Sequence, residues 1–142
     1  MFRINGGCHC GNILMDMEIT RAPDSFNPRA CDCDFCRRHN AAYVSDPQGS
    51  LAIRIKDVNL SAKYRQGSGQ GEFLFCRNCG VLVSVIYRNK RGLYATVNAR
   101  AAQGGQPFGS EHTVSPKTLS ASKKKKRWLD IWFPSVSVVT IN

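Results

Sequence analysis

The chain has 142 residues, 42% of them hydrophobic and 21% charged, the makeup of a folded domain and not of a disordered or fibrous segment. No stretch reaches the ~20 apolar residues that a membrane span requires, and residues 1–7 hold no apolar run of the kind a secretory signal carries, so the expectation is a single cytoplasmic domain over residues 1–142 with no membrane role. The formal net charge of +10 on its own points to nucleic acid or another acidic partner.

In chain order, the first cysteine pair stands in Gly6-Gly7-Cys8-His9-Cys10-Gly11. Beyond it Ile13, Met15, Met17 and Ile19 alternate with polar Asn12, Asp16 and Glu18, broken only by Leu14, which predicts a half-buried strand. Cys31-Asp32-Cys33-Asp34-Phe35-Cys36 follows, with a short helical turn predicted at 34–40 as the best helix candidate in the chain. Further strands are predicted at 52–56, 72–75, 81–87, 93–98 and 136–141, and loops at the Gly- and Gln-rich stretches 66–71 and 103–110. Cys76-Arg77-Asn78-Cys79 falls between two predicted strands, which fits a zinc knuckle on a hairpin better than a redox motif opening a helix. The KKKKR run at 123–127, next to Trp128 and Trp132, reads as a solvated surface turn, although a basic run beside aromatics also suits phosphate backbones and bases. No window keeps a 3.6-residue apolar period long enough for a substantial helix, so the chain is expected to be mainly β, with packed sheets or a barrel.

Seven cysteines are an odd number for a disulfide framework, and none lies outside the three groups, so metal binding is the better expectation. Two thiolates one or two residues apart can grip an ion from one turn, and two such pairs make the four-sulfur tetrahedron zinc prefers. The simplest partition is four plus three. Cys8, Cys10, Cys76 and Cys79 would form a closed structural site, and Cys31, Cys33 and Cys36 a three-ligand site with a position free for water or substrate. The alternative closes that second site with His39, one helical turn from Cys36. Two zinc ions held by seven thiolates would lower the net charge to about +7.

The three cysteine motifs, the last in the setting Phe75-Cys76-Arg77-Asn78-Cys79-Gly80, together resemble the glutathione-dependent formaldehyde-activating enzymes, a family that includes centromere protein V. The resemblance runs from Gly6 to about Trp132, with weaker matches at Tyr94-Ala95-Thr96-Val97-Asn98, His112 and Trp128. It implies a zinc-bearing fold of packed antiparallel β-sheets shared with methionine-R-sulfoxide reductases, and the same four-plus-three division of the cysteines. It also implies a carbon–sulfur lyase reaction in reverse, glutathione and formaldehyde combining to S-hydroxymethylglutathione. This chain departs from many relatives in having Asn40-Ala41-Ala42 after the middle motif, and in the lengthened lysine run.

On that basis Cys31, Cys33 and Cys36 would carry a catalytic zinc that takes the thiol of glutathione or a similar molecule, and the thiolate would attack the aldehyde carbon. Arg37 and Arg38, or Arg29, would hold substrate carboxylates by forked hydrogen bonds, and His39 could shuttle the proton. His9 and His112 carry no catalytic signal. The main rival is a zinc-stabilised binding module that presents a basic surface to nucleic acid or another acidic partner; its binding would weaken steeply with salt. A sulfoxide reductase needs a free nucleophilic cysteine, and the four-plus-three assignment leaves none. The sequence leaves the oligomeric state open.

Overall fold

The computed structural model describes residues 1–103 and 107–141. In chain order its elements are β1 (Phe2–Gly7), β2 (Ile13–Ile19), β3 (Arg29–Cys31), the short helix α1 (Asp34–Arg38), β4 (Ala42–Val44), β5 (Ser50–Ile55), β6 (Ser61–Tyr64) and β7 (Glu72–Cys76). They continue with β8 (Leu82–Asn89), β9 (Gly92–Asn98), β10 (His112–Val114), a second helix α2 (Ala121–Ile131) and β11 (Ser135–Thr140). The strands make two sheets, a four-stranded one in the order β1-β2-β5-β11 and a seven-stranded one in the order β10-β3-β4-β9-β8-β7-β6. The mainly β expectation holds, with two departures from a purely antiparallel arrangement: β10 runs parallel to β3 and β11 parallel to β5. Both parallel partners are far apart in sequence, as parallel pairing requires.

The predicted strand at residues 13–19 is β2, and its burial alternates without a fault. Leu14, which broke the polar pattern, sits half-buried on the outer face opposite Arg54, so the period of two survives the substitution of an apolar residue for a polar one. Inward, Ile13, Met15, Met17 and Ile53 meet Leu74, Val83, Ile86, Ala95 and Val97 of the larger sheet in one buried cluster. The larger sheet is covered on its other face too, where Tyr43, Phe73, Leu82 and Val85 pack with Trp128 and Trp132. A bulge in β8 lets it serve both layers: Phe75 pairs with Leu82 and Leu74 with Ser84, skipping Val83, and the extra residue shifts the facing of the strand.

Residues 123–127 do not form the expected surface turn, and the chain does contain a substantial helix, because the run lies inside the 11-residue α2. The Ser120 Oγ caps it by accepting from the Lys123 N–H at 3.3 Å, and lysine is a good helix former. What hid the helix is that its packing falls at one end: Trp128 is buried, and its ring stacks on Trp132 at 4.7 Å. The next residue, Phe133, is 0% exposed, and its backbone N–H and C=O bond Ala95 of β9 at 2.9 and 3.1 Å. Of the loop expected at 103–110, residues 104–106 lie outside the described residues.

Asp46, buried beyond the end of β4, ties the approach to β5 onto the end of β2. Its Oδ2 accepts from the Thr20 N–H at 2.8 Å and the Thr20 hydroxyl at 2.7 Å, and its Oδ1 accepts from the Gln48 N–H at 2.9 Å. Burial alone would raise this carboxyl's pKa, but those donors and the nearby charge of Arg21 outweigh it and hold the pKa below the ordinary value. A depressed folded-state pKa means that the contribution is present above the unfolded value of about 3.9 and is lost as pH falls below it. Replacement by alanine, Asp46→Ala, is expected to lower the unfolding free energy at pH 7 by roughly 1.5–3 kcal/mol. In urea titrations repeated from pH 7 downward, the gap between wild type and variant should shrink below about pH 4. The change Phe133→Ala should cost roughly 3–5 kcal/mol by the same measurement, because it empties the point where α2 is anchored to β9.

Candidate metal centres and the cavity beside them

All seven cysteines are free thiols, and the fold gathers them into two groups. The Sγ atoms of Cys8, Cys10, Cys76 and Cys79 lie within 4.8 Å of one another, as do those of Cys31, Cys33 and Cys36. Within the first group Cys8 and Cys10 are 3.7 Å apart, and Cys10 and Cys76 are 3.5 Å apart. These separations are far beyond a ~2.05 Å sulfur–sulfur bond and close to the edge of about 3.8 Å that follows from zinc–sulfur bonds of ~2.3 Å in a tetrahedron. The donor set and its spacing therefore fit a zinc ion in the first group, and three of four positions of one in the second.

The two pairs of the first group have a common construction. Cys8 and Cys10 follow β1, and Cys76 and Cys79 span the turn between β7 and β8. Each segment closes on a glycine at φ +82°, Gly11 and Gly80, a left-handed position that favours glycine. Backbone N–H groups point at the sulfurs, from Ile13 to Cys8 at 3.2 Å and from Cys79 to Cys76 at 3.4 Å, which favours thiolate. The proton affinities separate within the cluster. The Asn78 side chain and the Asn12 backbone pull Cys10 down to about 6, while burial pushes Cys8 up to about 11. His9 between the ligands is exposed.

In the second group Cys31 ends β3, and Cys33 caps α1, its Sγ accepting from the Cys36 N–H at 3.4 Å. Cys36 is 2% exposed. A hydrogen bond from Cys36, helped by the Cys33 backbone, lowers Cys31 to about 6, and the same contact together with burial raises Cys36. The Tyr43 hydroxyl lies 3.1 Å from the Cys36 Sγ, and burial followed by the charge of Cys36 holds the phenol in its protonated form. Asp32, between two of the thiols, accepts from the Ser115 hydroxyl at 2.5 Å and meets Lys117 at 3.8 Å, fastening the chain after β10 to the group. His39, the alternative fourth ligand, does not join it; the ring is exposed and lies 4.7 Å from that of Phe35.

Beside these three thiols is a cavity of about 240 Å³ between the larger sheet and α2. Cys31, Cys33 and Cys36 form part of its wall; Tyr43, Phe73, Trp128 and Trp132 make much of the rest apolar; and Gln66, Gly67 and Ser68 border it. Its cations are Arg29, Lys117, Lys124 and Arg127. Arg29 donates from Nη2 to the Ser45 hydroxyl at 2.9 Å and the Thr96 hydroxyl at 3.2 Å. Burial, with the charge of Arg127, lowers its pKa to about 10.

Arg37 and Arg38, expected to hold substrate, are exposed and do not line this cavity, and Arg38 instead bonds the Asp34 carbonyl at 3.0 Å. Sequence adjacency to Cys36 put them on the outer side of a one-turn helix, whereas Arg29, the third candidate, does face the cavity. Arg127 and Lys124 were hidden in the lysine run. Lys124 stands three residues before Arg127 and four before Trp128, which puts it on the same side of α2 as both and leaves Lys123 and Lys126 exposed.

Among the described residues no helix is long and apolar enough to cross a membrane. Comparison with curated proteins gives no match. Among solved structures, the crystal structure of a Rhodobacter sphaeroides protein is similar with a TM-score of 0.54 and 25% identity, over 76% of this chain and 99% of that one. The family model of the glutathione-dependent formaldehyde-activating enzyme matches residues 3–118, which hold all seven cysteines and end before α2. With most of its length matched, the chain belongs to the glutathione-dependent formaldehyde-activating enzyme family.

Proposed function

We propose that the chain is a single zinc-binding β domain that holds two zinc ions and acts in the cytoplasm, where thiols stay reduced, as a carbon–sulfur lyase working in the synthetic direction. It condenses glutathione or a similar thiol with formaldehyde or a similar aldehyde to an S-hydroxymethyl adduct. One observation carries this reading: Cys31, Cys33 and Cys36 converge in the wall of an apolar cavity, with no fourth side-chain ligand among the described residues. Cys8, Cys10, Cys76 and Cys79 supply four sulfurs and close their own site, which suits a structural ion.

A zinc ion bound at the three thiols would supply Lewis acidity, favouring the thiolate form of an incoming thiol near neutral pH. The chain's own groups do the rest. Tyr43 positions Cys36 through the 3.1 Å contact, and its protonated phenol is a hydrogen-bond donor at the cavity wall. Trp128 and Trp132 exclude water from one side, which strengthens electrostatic interactions within. Arg29, Arg127 and Lys124 offset the negative charge that three thiolates and a thiol substrate bring. His39 does not line the cavity, so the proton shuttle considered for it finds no support.

The test is metal content together with adduct formation. Wild type is expected to hold about two zinc ions per chain and Cys33→Ser about one, with the variant's melting temperature within roughly 5 °C of wild type and its catalysed exchange of ¹³C-formaldehyde with glutathione lost. One ion in the wild type, or two with no catalysed exchange, would defeat the lyase reading. Removing a ligand from the other site, Cys79→Ser, is expected to lower the melting temperature by roughly 10 °C or more, since metal binding at a closed site is folding energy.

A further inference from the structure

The cavity beside the three thiols carries more positive charge than its surroundings balance. Four cations line it and, among the described residues, no carboxylate does. Lys117 is paired with Asp32 at 3.8 Å. Among the described residues Arg29 has only neutral hydrogen-bond partners, the hydroxyls of Ser45 and Thr96. Arg127 has no hydrogen bond or ion pair among the described residues and lines the same cavity as Arg29 and the three thiols. Two guanidiniums that line one largely apolar cavity are unfavourable unless anions offset them.

The position of Arg29 follows from the sheet. It stands two residues before Cys31 on β3 and so shares that residue's face. It pairs across the ladder with Tyr43, whose hydroxyl touches Cys36, and directly opposed residues lie side by side on one face. The guanidinium is therefore built into the same floor as the thiols. Three thiolates with a dication leave a charge of −1, and a substrate thiolate would make it −2. Against the three unpaired cations Arg29, Lys124 and Arg127, one positive charge remains, which a single carboxylate balances.

We propose that Arg29 and Arg127 form a carboxylate subsite on the cavity floor, and that the carboxylate belongs to the electrophile, a small 2-oxo acid bearing an aldehyde, of the glyoxylate class. This rests on the reading that a thiol adds to an aldehyde at Cys31, Cys33 and Cys36. In glyoxylate the carboxylate is one bond from the reacting carbon, a match for a guanidinium on the same strand face as the thiols. In a tripeptide thiol the carboxylates are six or more bonds from the sulfur, and formaldehyde has no group for the arginines to hold. The step is an addition: the thiol sulfur bonds to the aldehyde carbon, the carbonyl π pair moves to oxygen, and that oxygen takes the proton the thiol gives up. The product is a hydroxy thioether acid, and nothing is oxidised or reduced.

The experiment uses the zinc-loaded full chain with 2-mercaptoethanol, a thiol without a carboxylate, and ¹³C-labelled glyoxylate or formaldehyde, with catalysed exchange read by NMR. Acceleration of glyoxylate over its uncatalysed background should exceed that of formaldehyde at least ~10-fold, and Arg127→Gln, which lowers both by removing a charge beside the thiols, should lower glyoxylate at least ~10-fold more than formaldehyde. Arg127 makes no bond that the fold depends on, so this variant spares the structure; Arg29→Gln should act in the same direction, with partial recovery in Arg29→Lys. Equal acceleration of the two aldehydes, or equal losses in the variants, overturns the assignment. A second readout needs no turnover: without thiol, acetate should quench or shift Trp128 and Trp132 fluorescence at concentrations at least ~10-fold below neutral acetamide, and Arg127→Gln should abolish the difference. No discrimination between acetate and acetamide overturns the subsite even if the lyase reaction is found. Discrimination without turnover of either aldehyde overturns the reaction and the electrophile assignment, and upholds the carboxylate subsite.

Discussion

A strand covered on both faces sends alternate side chains into two separate layers. In β7, Phe73 and Phe75 enter one layer, and Leu74 and Cys76 the other. Because the seven-stranded sheet is covered in this way, the cysteine groups come to lie in different surroundings. Cys76 joins Cys8 at the rim of the layer between the sheets, where apolar side chains from both sides leave the four sulfurs to close on one another. Cys36 belongs to the opposite layer, which is roofed by a single helix instead of a second sheet. A helix resting on a few aromatic side chains leaves space beside them, and that space is the cavity into which the three thiols open. Closure of one site and openness of the other thus follow from what covers each face, in addition to the number of sulfurs.

The same division organises the charge. Carboxylates on the sheets hold most of the cations near them: Glu72, 8% exposed, takes Arg88 at 2.9 Å, Arg65 at 3.0 Å and Lys63 at 3.8 Å, while Asp16 takes Arg54 and Glu18 takes Arg3. A charge that deep is costly to bury without such company. The excess behind the net charge of +10 is therefore unevenly spread, and part of it collects where Arg29, Lys124 and Arg127 meet the thiols. A basic composition and an anion-seeking cavity are in this molecule partly the same fact.

Features fixed by short stretches of chain were legible in the sequence. C-x-C and C-x-x-C spacing reflects how few residues bring two sulfurs to one ion, so the three motifs were plain and the count of sulfurs suggested their division into four and three, and the alternation of Ile13, Met15, Met17 and Ile19 reports β2 because one face alone is buried. Features fixed by long-range contact were not. The strands β3, β4 and β10 have three residues each, too few for a period to register, and α2 has its apolar contacts at one end, so its lysines hid a helix that Ser120 starts and Trp128 docks. Arg37 and Arg38 drew attention through adjacency to Cys36, yet on one turn of helix the next two residues point elsewhere. Once the structure shows Arg29–Cys31 to be a strand, the period of two places Arg29 on the face of Cys31, but three residues could not announce that strand in the sequence.

The site is assembled from two parts that differ in how they are held. The thiols, Tyr43 and Arg29 sit on strands of the larger sheet or on the turn directly after one, within the stretch matched by the family model. Lys124, Arg127 and the two tryptophans come from residues after it, on a helix and its cap whose position depends on the Trp128 and Trp132 stack and on the two backbone bonds between Phe133 and Ala95. A change on the cavity side of α2 can alter the charge and shape of the space without moving a sulfur, whereas a change at Phe133 shifts every roof residue together. In this arrangement the thiols and Arg29, fixed to the sheet, are mechanically separable from Lys124, Arg127 and the tryptophans on the helix, and Phe133 is the joint between the two parts.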